Sequence, residues 1–441
     1  MKRAISFILI SVLLFISLFS LASCAKNKSD ESDKLKYYCT FDNIFTEMIE
    51  KYNKYCLKNY DESYQIEIIK FENESDMTTK ISTEIMTGGG PDIVSLDQKL
   101  PFEKLIDNNS FADIDEMMKQ YDCDLDFRNY NPTVMNCGVY NGKRFVIPIF
   151  YSPNIFITTQ EILGDYNFSG GRLDFEKLWS GVEKNNSEYS LFGDKKLNSR
   201  LMYYFINQYV DFQNKEFDFK SQEFSNELDF IYKLLKNDNT DENVYYSVVG
   251  NDVCMFSTPQ SMFGGSIQSM SSCCYYINSS GKTPVIVPNY NKTYEAYVQC
   301  GFAVNDKSNK KDKILAFAEY VLSEDVQKYW CGISENKEFG GTNVLALPVN
   351  NVAFEDSITY AEQNNNDEES LDIADTKMLK DYLEIINNID DCMIYNYADY
   401  EETYYNSSVI GEIVNKYLAG DISKESFISQ ITSATEFYLT E

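Results

Sequence analysis

The sequence predicts an α/β protein, and three observations carry that prediction. Strand and helix patterns alternate from residue 35 to residue 96, the later two-thirds are rich in helical spacing, and the 441-residue length exceeds one ordinary hydrophobic core. Two or three domains are therefore expected.

The alternation starts at 35–41, which reads as a strand. Residues 43–57 carry Ile44, Phe45, Met48, Ile49, Tyr52 and Tyr55 at helical intervals. Residues 64–71 return to strand, with Ile66 and Ile68 two apart. Ser75 stands where a helix cap is expected, Met77, Ile81 and Ile85 follow at four-residue steps, and Gly88 ends the helix. The next strand is 91–96. This βαβαβ order is the unit of a parallel sheet with helices on its faces. Farther along, helices are expected at 175–185 behind Asp174, at 198–209, and at 221–236 through Phe224, Leu228, Ile231 and Leu235. Short strands are expected at 253–257, 284–287 and 297–304, then helices at 310–322 and 323–330. The tail from Leu371 reads as mostly helix, with Gly420 stopping one helix and Ser423 capping the last.

Composition closes several functional classes. Apolar residues make up 44%, charged residues 24%, and there are only nine prolines, as in a globular chain. The formal charge is −29 with no basic stripe, a field that repels nucleic acid. No histidine is present, which removes Ser-His-Asp and Cys-His catalysis and HExxH zinc sites. No metal site and no cofactor is expected. Gly88-Gly89-Gly90 is followed by Pro-Asp rather than Lys-Ser/Thr, so it is not an ATP-binding loop.

Met1-Lys2-Arg3 places positive charge ahead of the uncharged run 4–22, and Leu21-Ala22-Ser23-Cys24 closes it. That order is a secretory signal, and its last four residues resemble the bacterial lipobox. Residues 1–23 are expected to be removed and Cys24 lipidated, which anchors the chain to a lipid bilayer on the extracellular face of the cell membrane. An uncleaved membrane-spanning anchor is the other reading of the same run. Residues 24–34 form the lipidated cysteine and a polar tether, KNKSDESDK at 26–34. Ten cysteines follow Cys24, and their spacing fixes no disulfide connectivity.

Five further segments carry a family likeness. They are TKISTEIMTGGGPD at 79–92, Asn141-Gly142-Lys143-Arg144-Phe145-Val146-Ile147-Pro148, and Cys254-Met255-Phe256. The last two are 301–327, with a Gly-x-Ala-Val strand before a helix, and the tail from Tyr417-Leu418-Ala419-Gly420-Asp421 to Tyr438-Leu439. In this order, behind a lipobox, they resemble the family 1 extracellular solute-binding proteins, the lipoprotein receptors of ABC importers, especially the sugar-binding branch.

The resemblance implies a two-lobed periplasmic-binding-protein-like fold of type II, each lobe a mainly parallel sheet flanked by helices, with the ligand cleft between. It implies an amino-terminal lobe of 35–149 plus 290–342 and a carboxyl-terminal lobe of 150–289 plus 343–441. Hinge crossings are expected near 148–153, 284–290 and 341–348. It also implies a monomer that delivers its solute to permease subunits in the membrane and is not an enzyme.

The family's cleft loops map to Thr40, Phe41, Asp42 and Asn43; to Ser95, Asp97 and Gln98; to Tyr151 and Ser152; to Thr258, Gln260 and Ser261; and to Tyr404 and Tyr405. Tyr204 and Gln208 are added from a helix of the second lobe. Asp42 has an alternative role as a helix cap, and Asp92 reads as structural. Sugars need flat aromatic faces and polar side chains together. The chain has 34 tyrosines but two tryptophans, and Trp179 and Trp330 both lie on apolar helical faces. An oligosaccharide is the expected solute; a polyamine, favoured by Asp42 and Asp97, or a peptide is the alternative, as is a surface sensor or adhesin without a permease. A glycoside hydrolase is the remote reading, because carboxylates such as Glu401-Glu402 single out no catalytic pair. Ser308/Lys311 and Ser334/Lys337 have acyl-enzyme spacing but lack the partner motifs.

Overall fold

The computed structural model describes residues 33–98, 100–153, 155–164, 202–203, 205–211, 214–236, 256–257, 277, 279–288, 294–333, 346–363, 376–394 and 410–440. The signal and Cys24, the helix expected at 175–185 with Trp179, and Ser334/Lys337 lie outside them.

The first unit forms as its periodicity dictates. β1 (Leu35–Cys39) leads to helix Ile44–Asn59, β2 (Ile66–Lys70), helix Glu74–Met86 and β3 (Ile93–Ser95). Helix Ile44–Asn59 buries Phe45, Met48, Ile49, Tyr52 and Cys56. Its cap is Asn43: Thr46 N–H donates to the Asn43 side chain (3.0 Å), and Asn43 N–H donates to Thr46 Oγ1 (2.8 Å). The alternative of Asp42 as cap is thereby corrected. Asn73, not Ser75, caps the next helix, because its side chain reaches the backbone N–H of Asp76 (2.9 Å) while Ser75 already lies in the first turn.

Two hairpin strands, β4 (Val139–Tyr140) and β5 (Lys143–Arg144), precede β6 (Val146–Pro153) and β7 (Ile155–Thr159). The small pairs β8 (Val210–Asp211) with β9 (Glu216–Phe217) and the strands β10 (Phe256–Ser257), β11 (Pro284–Pro288), β12 (Glu295–Val304), β13 (Leu347–Pro348) and β14 (Asp391–Met393) follow. The large sheet runs β13-β6-β12-β3-β1-β2, with β14 added alongside β12. The small sheet runs β10-β7-β11.

The large sheet is mixed, with β14 parallel to β12, and the antiparallel pairs of the small sheet correct the expectation of mainly parallel strands there. β1 pairs in parallel with β2 and β3, as the βαβ pattern requires. β12, however, is antiparallel to β3 and β6, and β13 is antiparallel to β6. The described pairs of the small sheet are antiparallel too. The reason is connectivity: β12 enters the large sheet from the small one, at the edge where β3 ends.

Leu347 and Pro348 pair with Tyr151 and Phe150, and helix Asn351–Gln363 packs on helix Glu324–Trp330. Residues 346–363 therefore sit with the large sheet. Phe150 to Pro153 pair with β12 as well.

Asp92 fastens the opposite end of this sheet. Its carboxylate accepts from Lys36 N–H (2.8 Å) and Ser308 Oγ (2.6 Å), and Lys310 Nζ lies 3.5 Å away. Asp92 is structural, as its position ahead of β3 suggested, and Ser308 is engaged there. Lys311 pairs with Asp306 (3.4 Å), so in the Ser308/Lys311 pair each side chain has a carboxylate partner. Trp330 is buried in the core. Cys56, Cys123, Cys137, Cys331 and Cys392 are thiols. Helices outside the two sheets pack through aromatic stacks, Phe205 on Phe224 (4.8 Å) and Tyr417 on Phe427 (4.3 Å). Among the described residues no helix is long and apolar enough to cross a membrane.

Candidate functional site

Strand direction gathers the site. β1, β2, β3 and β6 all run toward the same end of the large sheet; β3 stops opposite Phe302 of β12, while β6 runs on to pair Pro153 with Ala296 near the start of β12. From that end β6 continues into β7 of the small sheet, and β11 returns into β12. The loops expected to meet ligand in the first lobe, 40–43 and 95–98, lie on this edge, and Tyr151 and Ser152 lie on the stretch of β6 that runs on from it.

Their side chains divide sharply by environment. Phe41 is 65% exposed, the ring free of the core. Asp42 beside it is exposed and forms an ion pair with Lys70 from the end of β2 (2.7 Å). Thr40 is half-buried at the bend between them and β1. Asn43 is engaged as the helix cap. Ser95 is buried and shares a hydrogen bond with the Tyr37 hydroxyl (2.8 Å). Tyr151 is also buried; its hydroxyl accepts from Asn131 Nδ2 (3.4 Å), and burial pushes its pKa up. Asn43, Ser95 and Tyr151 thus hold the edge together.

Gln98 is buried in the turn after β3, and its Nε2 donates to the Tyr38 carbonyl. Its Oε1 is buried with no hydrogen-bond partner among the described residues. A buried unpaired amide oxygen is costly, and here it belongs to the turn that follows β3. Asp97 occupies the same turn.

One residue escaped the sequence reading. Between Val298 and Cys300 the register slips, so Gln299 is an extra residue on β12, and a second slip places Ile149 as the extra residue on β6. The bulge turns the Gln299 side chain out to solvent, where its Oε1 accepts from the buried Ser152 Oγ (2.7 Å). The Ile149 carbonyl accepts from Gln327 Nε2 (3.1 Å). Gly301 was the signal: an added Cβ would lie 2.9 Å from the Ile147 carbonyl oxygen, and a lone glycine inside a strand marks such an approach. Gln208, by contrast, is exposed in the turn leading into the β8–β9 hairpin, apart from both main sheets. Tyr204, Thr258, Gln260, Ser261, Tyr404 and Tyr405 lie outside the described residues.

The edge combines an exposed aromatic face, a compensated carboxylate and a set of amide and hydroxyl groups, and among the described residues there is no cluster fit to hold a metal. Comparison with known proteins decides the family. The family model for bacterial extracellular solute-binding proteins matches residues 47–336. This chain belongs to that family. It is a solute-binding protein whose family works outside the cytoplasm.

Solved structures agree on the two-lobed fold. The ABC substrate-binding protein of Listeria monocytogenes in complex with cycloalternan aligns with a TM-score of 0.55 and 15% identity, over 92% of this chain and 97% of that one. The cyclic α-maltosyl-1,6-maltose binding protein of Arthrobacter globiformis gives 0.54 and 14%, over 92% and 98%. An ABC transporter solute-binding protein of Thermotoga lettingae bound with α-D-tagatose gives 0.52 and 16%, over 92% and 99%. At these identities the likeness shows the fold. No curated protein matches this solute-binding protein.

Proposed function

We propose that the protein captures an oligosaccharide outside the cell and hands it to the permease of an ABC importer, without chemistry of its own. Acylated Cys24 holds it at the membrane, and it acts as a monomer. The amino-terminal lobe comprises 35–149 and 290–342, to which the pairing of β13 adds 346–363; the remainder forms the other lobe. The lobes close on the solute at the edge described above, a population shift bounded by the ligand's preference for the closed form.

One observation carries the sugar reading: the exposed ring of Phe41 follows β1 at the end of the sheet where the Gln98 turn follows β3, and β6 runs on from that end to the Ser152–Gln299 pair. A flat apolar face beside amide groups suits a pyranose ring and its hydroxyls. The three structural neighbours named above, which bind carbohydrates, support the same class. A polyamine fits less well, because Lys70 already compensates the charge of Asp42.

The test is thermal unfolding of residues 25–441 against linear and cyclic glucans, monosaccharides, polyamines and peptides. A ligand at a hundred times its dissociation constant adds about 2.7 kcal/mol, a clear rise in Tm. A saturable rise confined to one glycan class supports the proposal. A rise with spermidine alone, or none with any carbohydrate, rejects it.

A further inference from the structure

Cys137 and Cys392 are far apart in the chain and meet where a short helix lies on the large sheet. Cys137 is the carboxyl-terminal cap of helix Pro132–Asn136, its N–H donating to the Val134 carbonyl (3.2 Å). Cys392 is the middle residue of β14, which runs parallel to β12 with Cys392 opposite Ala296. The helix packs on β14, and Thr133 Oγ1, one turn before Cys137, donates to the Ile389 carbonyl just ahead of that strand (3.4 Å). The two thiols stand within hydrogen-bonding reach of each other.

They differ in access. Cys392 is buried, and burial together with the adjacent Cys137 thiol pushes its pKa well above the usual thiol range. Cys137 is only half-buried. An oxidant therefore meets Cys137 first, with Cys392 beside it as a protonated reserve. The strand that carries Cys392 also borders the site. Ala296 pairs with Pro153 of β6 on one side and with Cys392 on the other, so β14 lies along the same side of β12 as β3. Gln299 stands on the stretch of β12 between the β14 and β3 pairings.

We infer that Cys137 and Cys392 form a disulfide once the chain is outside the cytoplasm, fastening β14 to helix Pro132–Asn136. The oxidant is a low-molecular-weight disulfide. The Cys137 thiolate attacks one of its sulfurs and expels the first small thiolate. The Cys392 thiol then gives its proton to water, and its sulfur displaces the second small thiolate from the Cys137 sulfur. Two protein thiols are oxidised to one disulfide while one small disulfide is reduced to two thiols. Such bonds persist outside the cytoplasm, and this one would close a loop of about 250 residues in the unfolded chain.

The test treats the full chain, purified in detergent and reduced, with cystamine, a cationic disulfide suited to an acidic protein. Remaining thiols are then alkylated in urea, and the unreduced digest is mapped by mass spectrometry. The expected product is a peptide pair joined through Cys137 and Cys392, with Tm raised by about 3–5 °C and restored on reduction. Cys137→Ser changes a half-buried position, so it should match the reduced chain in Tm and show neither the pair nor the rise. Alkylation of both cysteines, cysteamine retained on Cys137, or Cys137 joined to another cysteine overturns the proposal. A rise in Tm of the same size in Cys137→Ser overturns it too.

Discussion

The hydroxyl of Ser152 donates to the side-chain oxygen of Gln299 across 2.7 Å, from a fully buried residue on one strand to an exposed one on the next. The bond fixes the amide's oxygen inward, so the Nε2 group of Gln299 is the part offered to a solute. Gln299→Ala is expected to weaken glycan binding about fivefold, the worth of one hydrogen bond, with little change in Tm. Isothermal titration paired with thermal unfolding checks both halves. A large loss of Tm with unchanged affinity would make Gln299 a structural residue instead.

Phe41 lies on the same edge but owes nothing to the core. Phe41→Ala should weaken glycan affinity about three- to tenfold and leave the urea midpoint where it was. Titration with the glycan that raises Tm most is the measurement, and unaltered affinity counts against this face as the sugar platform.

Asp92 should behave in the opposite way. Removing its carboxylate strands the Lys36 N–H and the Ser308 hydroxyl at a nearly buried position and takes the counter-charge from the Lys310 ammonium. Asp92→Ala is expected to cost about 3 kcal/mol or more in urea unfolding, since breaking a buried charged network leaves its partners uncompensated.

Gly301→Ala tests the bulge itself. Its methyl group would meet the Ile147 carbonyl oxygen, Leu96 Cδ1 and Pro148 Cα within 3.2 Å. A destabilisation of about 1–3 kcal/mol is expected, with a loss of glycan affinity as Gln299 is displaced. A neutral result in both assays would show that β12 and β6 can separate without harm.

Alkaline pH should unfold the protein earlier than its carboxylates would suggest. Burial, together with the Glu319 carboxylate that its thiol donates to (3.2 Å), pushes Cys123 up to about 11; burial also takes Tyr130 up to about 12. Between the usual thiol range and about pH 11 the folded state keeps a proton that the unfolded state has released. The resulting stability is complete below the usual thiol range and is lost as pH rises through about 11. Urea midpoints measured from neutral pH upward should fall across that window, less steeply in Cys123→Ser.

The first lobe was legible because its unit is local. Helix Ile44–Asn59 follows from six apolar residues at helical spacing, and the parallel trio β1, β2 and β3 follows from the alternation around it. The antiparallel entry of β12 was not legible, since it depends on where a distant strand crosses between sheets. The edge loops were found by resemblance, yet Asn43, Ser95 and Tyr151 proved to be held by partners far apart in sequence or by a helix end. Gln299 was missed because period-two spacing places Tyr297, Gln299 and Gly301 on one face, and only the register slip turns Gln299 outward. Gly301 alone hinted at it.

Prolines flank the passage between the sheets, Pro153 closing β6 and Pro288 closing β11. Proline has no amide hydrogen, so neither residue can contribute a donor to the ladder where its strand leaves its sheet. Twist between the two halves can gather at these joints without rupturing a bond there, while the pairings of Tyr151 with Val298 and of Ile155 with Pro288 stay intact. Under the proposed closure these two joints are where the chain would turn, as the pivot of a pair of tongs does.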